Sequence, residues 1–292
     1  MNNILDKQYN AHETHYLKLG NDLIRLENKN SIDFWGHERM YKQLLPFFSY
    51  SYKWLTVGDG IGTDANWLFT QGENVVASDI ADSVLEKAKA MGFIDRYSKE
   101  NAENLSFEEN SFDCIICKEA YHHFPRPYIA LYEMIRVAST AVILIEPIDV
   151  GIKMPFIVFT KNILDRINVN LINKIWKNRY SFESVGNYVY KISEREIEKV
   201  AMGIGLPAIA YKGINSYWIE KFDLMQPLTN KKLFKKVKRK IRIRDVICRL
   251  GIIPYQMMSC VIFKKLPTEQ QIFELKKNGY KYIQLPENPY LT

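Results

Sequence analysis

The stretch Trp54-Leu-Thr-Val-Gly58-Asp59-Gly60-Ile-Gly62-Thr-Asp-Ala-Asn-Trp-Leu68 decides the reading of the fold. A short apolar strand, Trp54–Val57, runs into three closely spaced glycines and then into a helix-like segment, Asp64–Thr70. Glycine belongs where the backbone must turn sharply and approach a ligand with no Cβ in the way. Gly60-x-Gly62-x-x-Ala65 also satisfies the dinucleotide fingerprint, and a tight strand-to-helix turn that binds nothing has the same look. The loop alone does not choose among these.

The alternation continues outward. Asn74–Ser78 reads as a second strand, 81–91 as a helix, Phe112–Cys117 as a strand, Tyr128–Val137 as a helix and Ala141–Glu146 as a strand. Short buried strands separated by helices of about ten residues predict a doubly wound α/β sheet, mostly parallel, with helices on both faces. Further on, Ser193–Gly203 carries a capping box in Ser193 and Glu196, and 268–278 reads as another helix. Pro207–Lys212 and Met257–Lys264 read as two later strands, and Lys153–Tyr180 is apolar, basic and helical in character.

Asp79 ends the second strand about twenty residues beyond the glycines, where a carboxylate can accept hydrogen bonds from ribose hydroxyls. A helix-capping aspartate is the alternative there. The run Asn101-Ala-Glu103-Asn-Leu-Ser-Phe-Glu-Glu-Asn-Ser-Phe112-Asp113 then precedes the next strand. With these elements in this order, Trp54 to Pro147 closely resembles the small-molecule class I S-adenosylmethionine-dependent methyltransferases. The resemblance implies a Rossmann-like, seven-stranded sheet and S-adenosylmethionine as cofactor. It implies that Gly58, Gly60 and Gly62 form the cofactor loop, that Asp79 holds the ribose and that Ile80 packs on the adenine. Asn101, Ala102 and Glu103 are then expected to line the adenine. The segment Lys118-Glu119-Ala-Tyr121-His122-His123-Phe124 resembles the run at the mouth of the family's site, with Lys118 on the cofactor side. The phrases GDGIGTDANWL and CKEAYHHFPRP also resemble a subgroup found among enzymes of bacterial surface-polysaccharide biosynthesis. That points to a sugar, or its nucleotide- or lipid-linked precursor, as the small-molecule acceptor. One departure stands out: Thr56 occupies the place of the family's usual acid, and Asp59 is expected to take over contact with the methionine moiety.

Methyl transfer from a sulfonium is an in-line displacement in which the protein aligns donor and acceptor and excludes water. A hydroxyl acceptor also needs a base, because its unperturbed pKa lies far above neutrality; an amine need only bind neutral. His122 and His123 fall at the carboxyl end of a parallel strand, where open sheets bind ligands. They are the candidate bases, His123 ahead of His122, and one of the pair is expected to anchor the loop instead. Glu119, Tyr121 and Glu146 are secondary candidates for acceptor binding. The resemblance also implies a helical lid over the cofactor, with Tyr9, His12, His15, Tyr16 and 35–39 in it, and Arg25 or Arg39 facing the cofactor carboxylate.

Other functions are set aside by what is present. Cys114-x-x-Cys117 lies in a strand-like run, where a spacing of three puts the two thiols on opposite faces, so core cysteines are expected rather than a metal site. No metal site is read from the sequence. The Asn/Asp-Pro-Pro-Tyr/Phe run of nucleic-acid amino methyltransferases is replaced here by Glu119-Ala-Tyr-His122.

The 292 residues hold 40 Lys+Arg against 33 Asp+Glu, a net +7. Lys231–Arg249 alone carries ten bases and one acid, +9, which leaves −2 on the rest. A uniformly basic nucleic-acid coat is thereby excluded. Leu233, Phe234, Val237 and Ile241 lie at helical spacing within this run. It reads as an insertion helix with a solvated basic face, as a surface for an anionic membrane or lipid phosphate, or as a binder of nucleotide-linked phosphate or RNA. The expected layout is 1–50 as lid, 51–150 as cofactor core, and 151–292 completing the sheet with substrate-side and basic insertions. A polar N-terminus without a leader's apolar core, and no long apolar run, predict a cytoplasmic protein, with peripheral membrane contact as an option. Two further readings remain: a non-catalytic cofactor-binding module targeted by the basic helix, and a nicotinamide dehydrogenase.

Overall fold

The central strands alternate residue by residue between two apolar layers, which is why they read as unbroken hydrophobic runs. In the computed structural model, which describes residues 2–19, 23–168, 170–171, 176, 180–183, 186–216 and 221–290, Trp54, Cys114, Ile116 and Ile143 join one layer, and Leu55, Ile115, Cys117 and Leu144 the other. Cys114 and Cys117 are buried free thiols on opposite faces, as the strand period requires.

The strands are β1 (Lys53–Val57), β2 (Asn74–Asp79), β3 (Tyr97–Lys99), β4 (Phe112–Lys118), β5 (Ala138–Pro147), β6 (Ala208–Ile214), β7 (Met257–Phe263) and β8 (Lys281–Gln284). They form one sheet in the order β3-β2-β1-β4-β5-β7-β6-β8. The first five pair in parallel; β7 runs antiparallel to β5 and β6, and β8 antiparallel to β6. Eight strands replace the expected seven. β8 is four residues at an edge with Tyr282 and Ile283 only half-buried, too short and too polar at its ends to stand out in the sequence. β3, three residues long, escaped for the same reason.

α1 (Asn2–Leu19), α2 (Ile24–Glu27), α3 (Ile32–Tyr41) and a 3-10 stretch, Lys42–Tyr50, precede β1. α4 (Thr63–Thr70), α5 (Asp82–Ala90), α6 (Pro127–Val137) and α7 (Pro155–Ile167) follow, then α8 (Glu194–Gly203), α9 (Lys221–Leu224), α10 (Lys231–Arg249) and α11 (Glu269–Lys277). Helix α8 starts at the expected capping box: Ser193 Oγ accepts from Glu196 N at 3.3 Å and donates to Glu196 Oε2 at 2.6 Å. Of the helical character expected over 153–180, α7 accounts for the first part; 169, 172–175 and 177–179 lie outside the described residues. The same holds for the Tyr16 side chain.

The basic run is α10. Val237 and Ile241 pack with Ile32 and against Trp35, Leu228, Leu233 and Phe234, a satellite cluster between α10 and α3. The positions at helical spacing are thus the ones that are covered, while Lys235, Lys236, Arg239 and Arg242 face solvent. Among the described residues no helix is long and apolar enough to cross a membrane.

The strand order reverses between β1 and β4, so the loops leaving their carboxyl ends diverge and open a crevice. The candidate site lies there.

Candidate active site

Gly58 leaves β1 with φ +72°, and a Cβ built on it would lie 2.6 Å from the Ala120 Cβ, so only glycine lets this loop close on the end of β4. Gly60 (φ +57°) and Gly62 (φ +80°) complete a left-handed run into α4. Gly58 N and Asp59 N both donate to Ser78 O, tying the loop to β2.

Asp59 does not face the crevice. Its carboxylate accepts from Asp64 N and Ala65 N and from Thr56 Oγ1, each at 2.8 Å. Two backbone donors in the first turn of α4 and the Thr56 hydroxyl on β1 hold it in place, and Thr56 is its partner rather than a stand-in for an acid. Burial, and the nearby charge of Asp64, push its pKa well above the usual carboxylate range. The expected contact between Asp59 and the methionine moiety is therefore replaced by a structural role.

A cavity of about 560 Å³, open mouth included, is lined by Gly58, Asp79, Ile80, Asn101, Ala102 and Glu103. These six were expected on the cofactor. Asp79 accepts from Gly60 N at 2.8 Å and Ala81 N at 2.9 Å, which fixes its carboxylate at the cavity wall. Asn101 Oδ1 accepts from Glu103 N at 2.9 Å, forming the turn that sets Ala102 against the cavity wall. Apolar Ile80 and Ala102 flanked by Asp79, Asn101 and Glu103 suit a base and ribose, so the residues present fit the adenosyl part of S-adenosylmethionine. Helix α1 closes the cavity with Tyr9 and His12. Tyr9 OH donates to Glu103 Oε2 at 2.6 Å, and Arg126 donates to both carboxylate oxygens. Gly60 and Gly62 shape the loop without lining this cavity.

Lys118 is corrected too. Its ammonium is buried beneath the loop, 3.2 Å from Asp64 Oδ1 and 3.1 Å from His37 Nδ1, where Tyr41 OH also donates to Asp64 at 2.7 Å. Burial works against its charge, but Asp64 and Glu119 outweigh it and raise the pKa. His37 is driven well below its ordinary value by burial, Lys118 and Arg25, and is therefore neutral. Arg25 and Arg39 stand away from the cofactor cavity: Arg25 Nε is 2.6 Å from Asp33, and Arg39 donates to Asn215 O at 2.8 Å while lying over Trp35.

A second cavity, about 1110 Å³ with its mouth, lies between α3, α10 and the end of β4. His122, Glu119, His37, Trp35, Val237 and Ile241 are among its walls. His123 lines both cavities. Glu119 lines the second cavity with φ +52°, a left-handed conformation that costs a non-glycine residue about 1 kcal/mol and that persists where the surroundings impose it. Tyr121 lies in the core, edge-on to Phe124, and lines neither cavity; its expected acceptor contact is not found.

The two histidines have different holders. His122 Nδ1 lies 2.6 Å from Glu146 Oε2. Glu146 is fully buried and its other oxygen accepts from Ala120 N and Tyr121 N, at 2.8 and 3.0 Å. Burial lowers the His122 pKa, but Glu146 more than compensates and the net shift is upward. His123 Nδ1 lies 2.7 Å from Glu183 Oε2 and 3.3 Å from Asn187 Nδ2. Glu183 and Asn187 sit on a hairpin about sixty residues downstream, and no spacing in the sequence links them to the histidines. Glu100 at the cofactor cavity, and Arg126 behind its Glu103, were also missed.

With this geometry in view, the relatives are informative. Residues 55–145 match the family described as methyltransferase domain. The ubiquinone/menaquinone biosynthesis C-methyltransferase UbiE of Citrobacter koseri is 32% identical over 123 residues, 38% of this chain and 49% of that protein. The chain thus spans about half the length of the curated relative it matches. Among solved structures, the 1,6-didemethyltoxoflavin-N1-methyltransferase of Burkholderia thailandensis, with S-adenosylhomocysteine bound, covers 90% of this chain and 91% of its own at 10% identity, TM-score 0.49. The magnesium protoporphyrin IX methyltransferase of Synechocystis PCC 6803, also with S-adenosylhomocysteine, covers 78% and 83% at 13% identity, TM-score 0.45. Residues 55–145, about a third of the chain, thus match a methyltransferase domain, a family whose methyl donor is S-adenosylmethionine.

Proposed function

We propose that this protein transfers the methyl group of S-adenosylmethionine to a hydroxyl or amine of a small molecule held in the second cavity. The acceptor we propose is a sugar of a surface polysaccharide, or its nucleotide- or lipid-linked precursor. The observation that carries the reading is His123, which lines both cavities, beside His122, which a buried carboxylate orients. Bound S-adenosylmethionine supplies a carbon already activated by the sulfonium. The chain's own residues do the rest. Gly58, Asp79 and Ile80 seat the cofactor, α1 excludes water, and Glu146 holds Nδ1 of His122 so that Nε2 is presented for the acceptor's proton. Mass spectrometry after incubation with labelled S-adenosylmethionine and a panel of nucleotide- and lipid-linked sugars tests this. A labelled sugar is expected; binding of the cofactor with no transfer to any sugar or small-molecule acceptor would sink it.

Peripheral contact with an anionic membrane through 231–249 is a second proposal. Its support is the exposed face of α10, where Ile243 (53% exposed) and Val246 (53%) stand among solvated bases, followed by Leu250 (69%). Flotation with phosphatidylserine vesicles, and no flotation with neutral ones, is the expected result.

A further inference from the structure

Three of the five histidines converge at the wall shared by the two cavities, from segments far apart in the chain. His122 and His123 arrive on the 3-10 turn Tyr121–His123, with ring centroids 4.0 Å apart. Helix α1 brings His12, whose ring centroid is 5.5 Å from that of His123. A hairpin brings Glu183 and Asn187, and it is fastened in place. Glu183 N donates to Asn187 O at 3.1 Å, Val189 N to Ser181 O at 2.8 Å, and Tyr190 N to His122 O at 3.1 Å. One ligating atom from each of His122, His123 and Glu183 lies within 4.8 Å of the others.

Two buried polar atoms lie beside this cluster. Asn187 is 1% exposed, yet its Oδ1 has no hydrogen-bond partner, and neither has the buried Nε2 of His12. Each side chain touches or faces His123. The Asn187 amide also interacts with the His12 ring, and a cation beside His123 would take the lone pairs of Asn187 Oδ1 and His12 Nε2 together with those of the imidazoles and the carboxylate.

We propose that His122, His123 and Glu183 form a binding site for a divalent transition-metal ion, with His12 Nε2 and Asn187 Oδ1 as further donors within reach. Two imidazoles and one carboxylate are the donor set of catalytic zinc sites, which keep a position open for substrate. Glu146 on Nδ1 of His122 is the outer carboxylate that orients a ligating imidazole and leaves Nε2 for the ion. The open position faces the shared wall of the cavities. An ion there takes the place of the proton on His122, and an acceptor hydroxyl bound to it releases its own proton to bulk water before its oxygen bonds to the methyl carbon. The carbon–sulfur bond breaks with its electron pair on sulfur. This consequence rests on the methyltransferase reading; binding of the ion does not.

The test uses the full chain, stripped with a chelator, loaded with Zn²⁺, desalted and assayed for metal by mass spectrometry, with Co²⁺ absorption as a second probe. One Zn²⁺ per chain is expected, kept in His15→Ala and lost in His123→Ala. Glu183→Gln, at a half-exposed position that folding tolerates, is expected to weaken Zn²⁺, and Glu146→Gln to do so by roughly 10–100-fold. A folded chain that binds S-adenosylmethionine but retains no Zn²⁺ overturns the ion site alone. So does undiminished Zn²⁺ in both His123→Ala and Glu183→Gln. A chain that holds the ion through these residues but transfers no methyl group supports the site and overturns the methyltransferase reading.

Discussion

The cofactor end and the acceptor end of the crevice are built in different ways. Around the glycine loop, most polar contacts stay local or join neighbouring strands: Asp59 to Thr56, Asp64 and Ala65, Asp79 to Gly60 and Ala81, Asn101 to Glu103, with Tyr9 of the lid reaching Glu103 across 94 residues as the exception. On the acceptor side they span the chain: Lys118 to His37 across 81 residues, Asn187 to His123 across 64, Arg39 to Asn215 across 176. A cofactor shared by many proteins can be held by a short supersecondary motif. An acceptor pocket is assembled from lids and insertions, which is where members of a fold differ.

If the two ends are separable, a lesion on one side must spare the other. The largest effect is expected for His122→Ala: a loss of about 10²–10⁴-fold in turnover, with affinity for S-adenosylmethionine unchanged by calorimetry. Loss of cofactor binding in that variant would break the division. Gly58→Val is its mirror image. Its side chain meets Ala120 in a left-handed backbone, and overpacking plus strain cost about 2–4 kcal/mol, visible in thermal melts together with loss of cofactor binding.

A smaller effect is expected in the pH profile. In the metal-free chain, where His122 must be neutral to accept a proton, turnover rises as pH climbs through its raised pKa, above the ordinary 6.5. Glu146→Gln removes the partner that raises it, so the midpoint of the profile moves to lower pH; an unmoved midpoint would take His122 out of the titration. For stability the sign is opposite. A raised folded pKa adds stability that is full below the unfolded value and is lost as pH rises through the folded one.

On the insertion side, Lys235→Glu with Lys236→Glu is expected to leave turnover on a soluble acceptor unchanged. It weakens vesicle binding by about 1 kcal/mol per removed base in flotation assays. The smallest effect is Ser193→Ala, which removes the cap of α8 and costs about 1 kcal/mol in denaturant unfolding, without touching either cavity.

Periodicity and turn chemistry were enough to read most of the fold. Strands of the parallel half, the capping box at Ser193 and the apolar stripe of α10 are all short-range patterns. The strands that escaped, β3 and β8, are three and four residues long and owe their existence to pairing with a neighbour already in place. At the site, Gly58 and Asp79 were legible from their places at strand ends, and Ile80, Asn101, Ala102 and Glu103 from the family resemblance; all six line one cavity. Asp59 and Lys118 were misplaced because spacing puts a residue near a site without saying which way its side chain turns. Helix α4's unpaired backbone donors captured the first, and the buried Asp64 the second.

The amino-acid sequence by itself determined the architecture of the half with the glycine loop and the segment that lines the crevice, because those rest on contacts between residues a few places apart or one strand apart. Only the tertiary structure decided that His122 is held by Glu146 and His123 by Glu183, that α1 and the hairpin bring His12 and Asn187 to the same spot, and that α10 walls the second cavity. Those contacts join segments tens of residues apart, and no local pattern encodes which of them meet once the chain has closed.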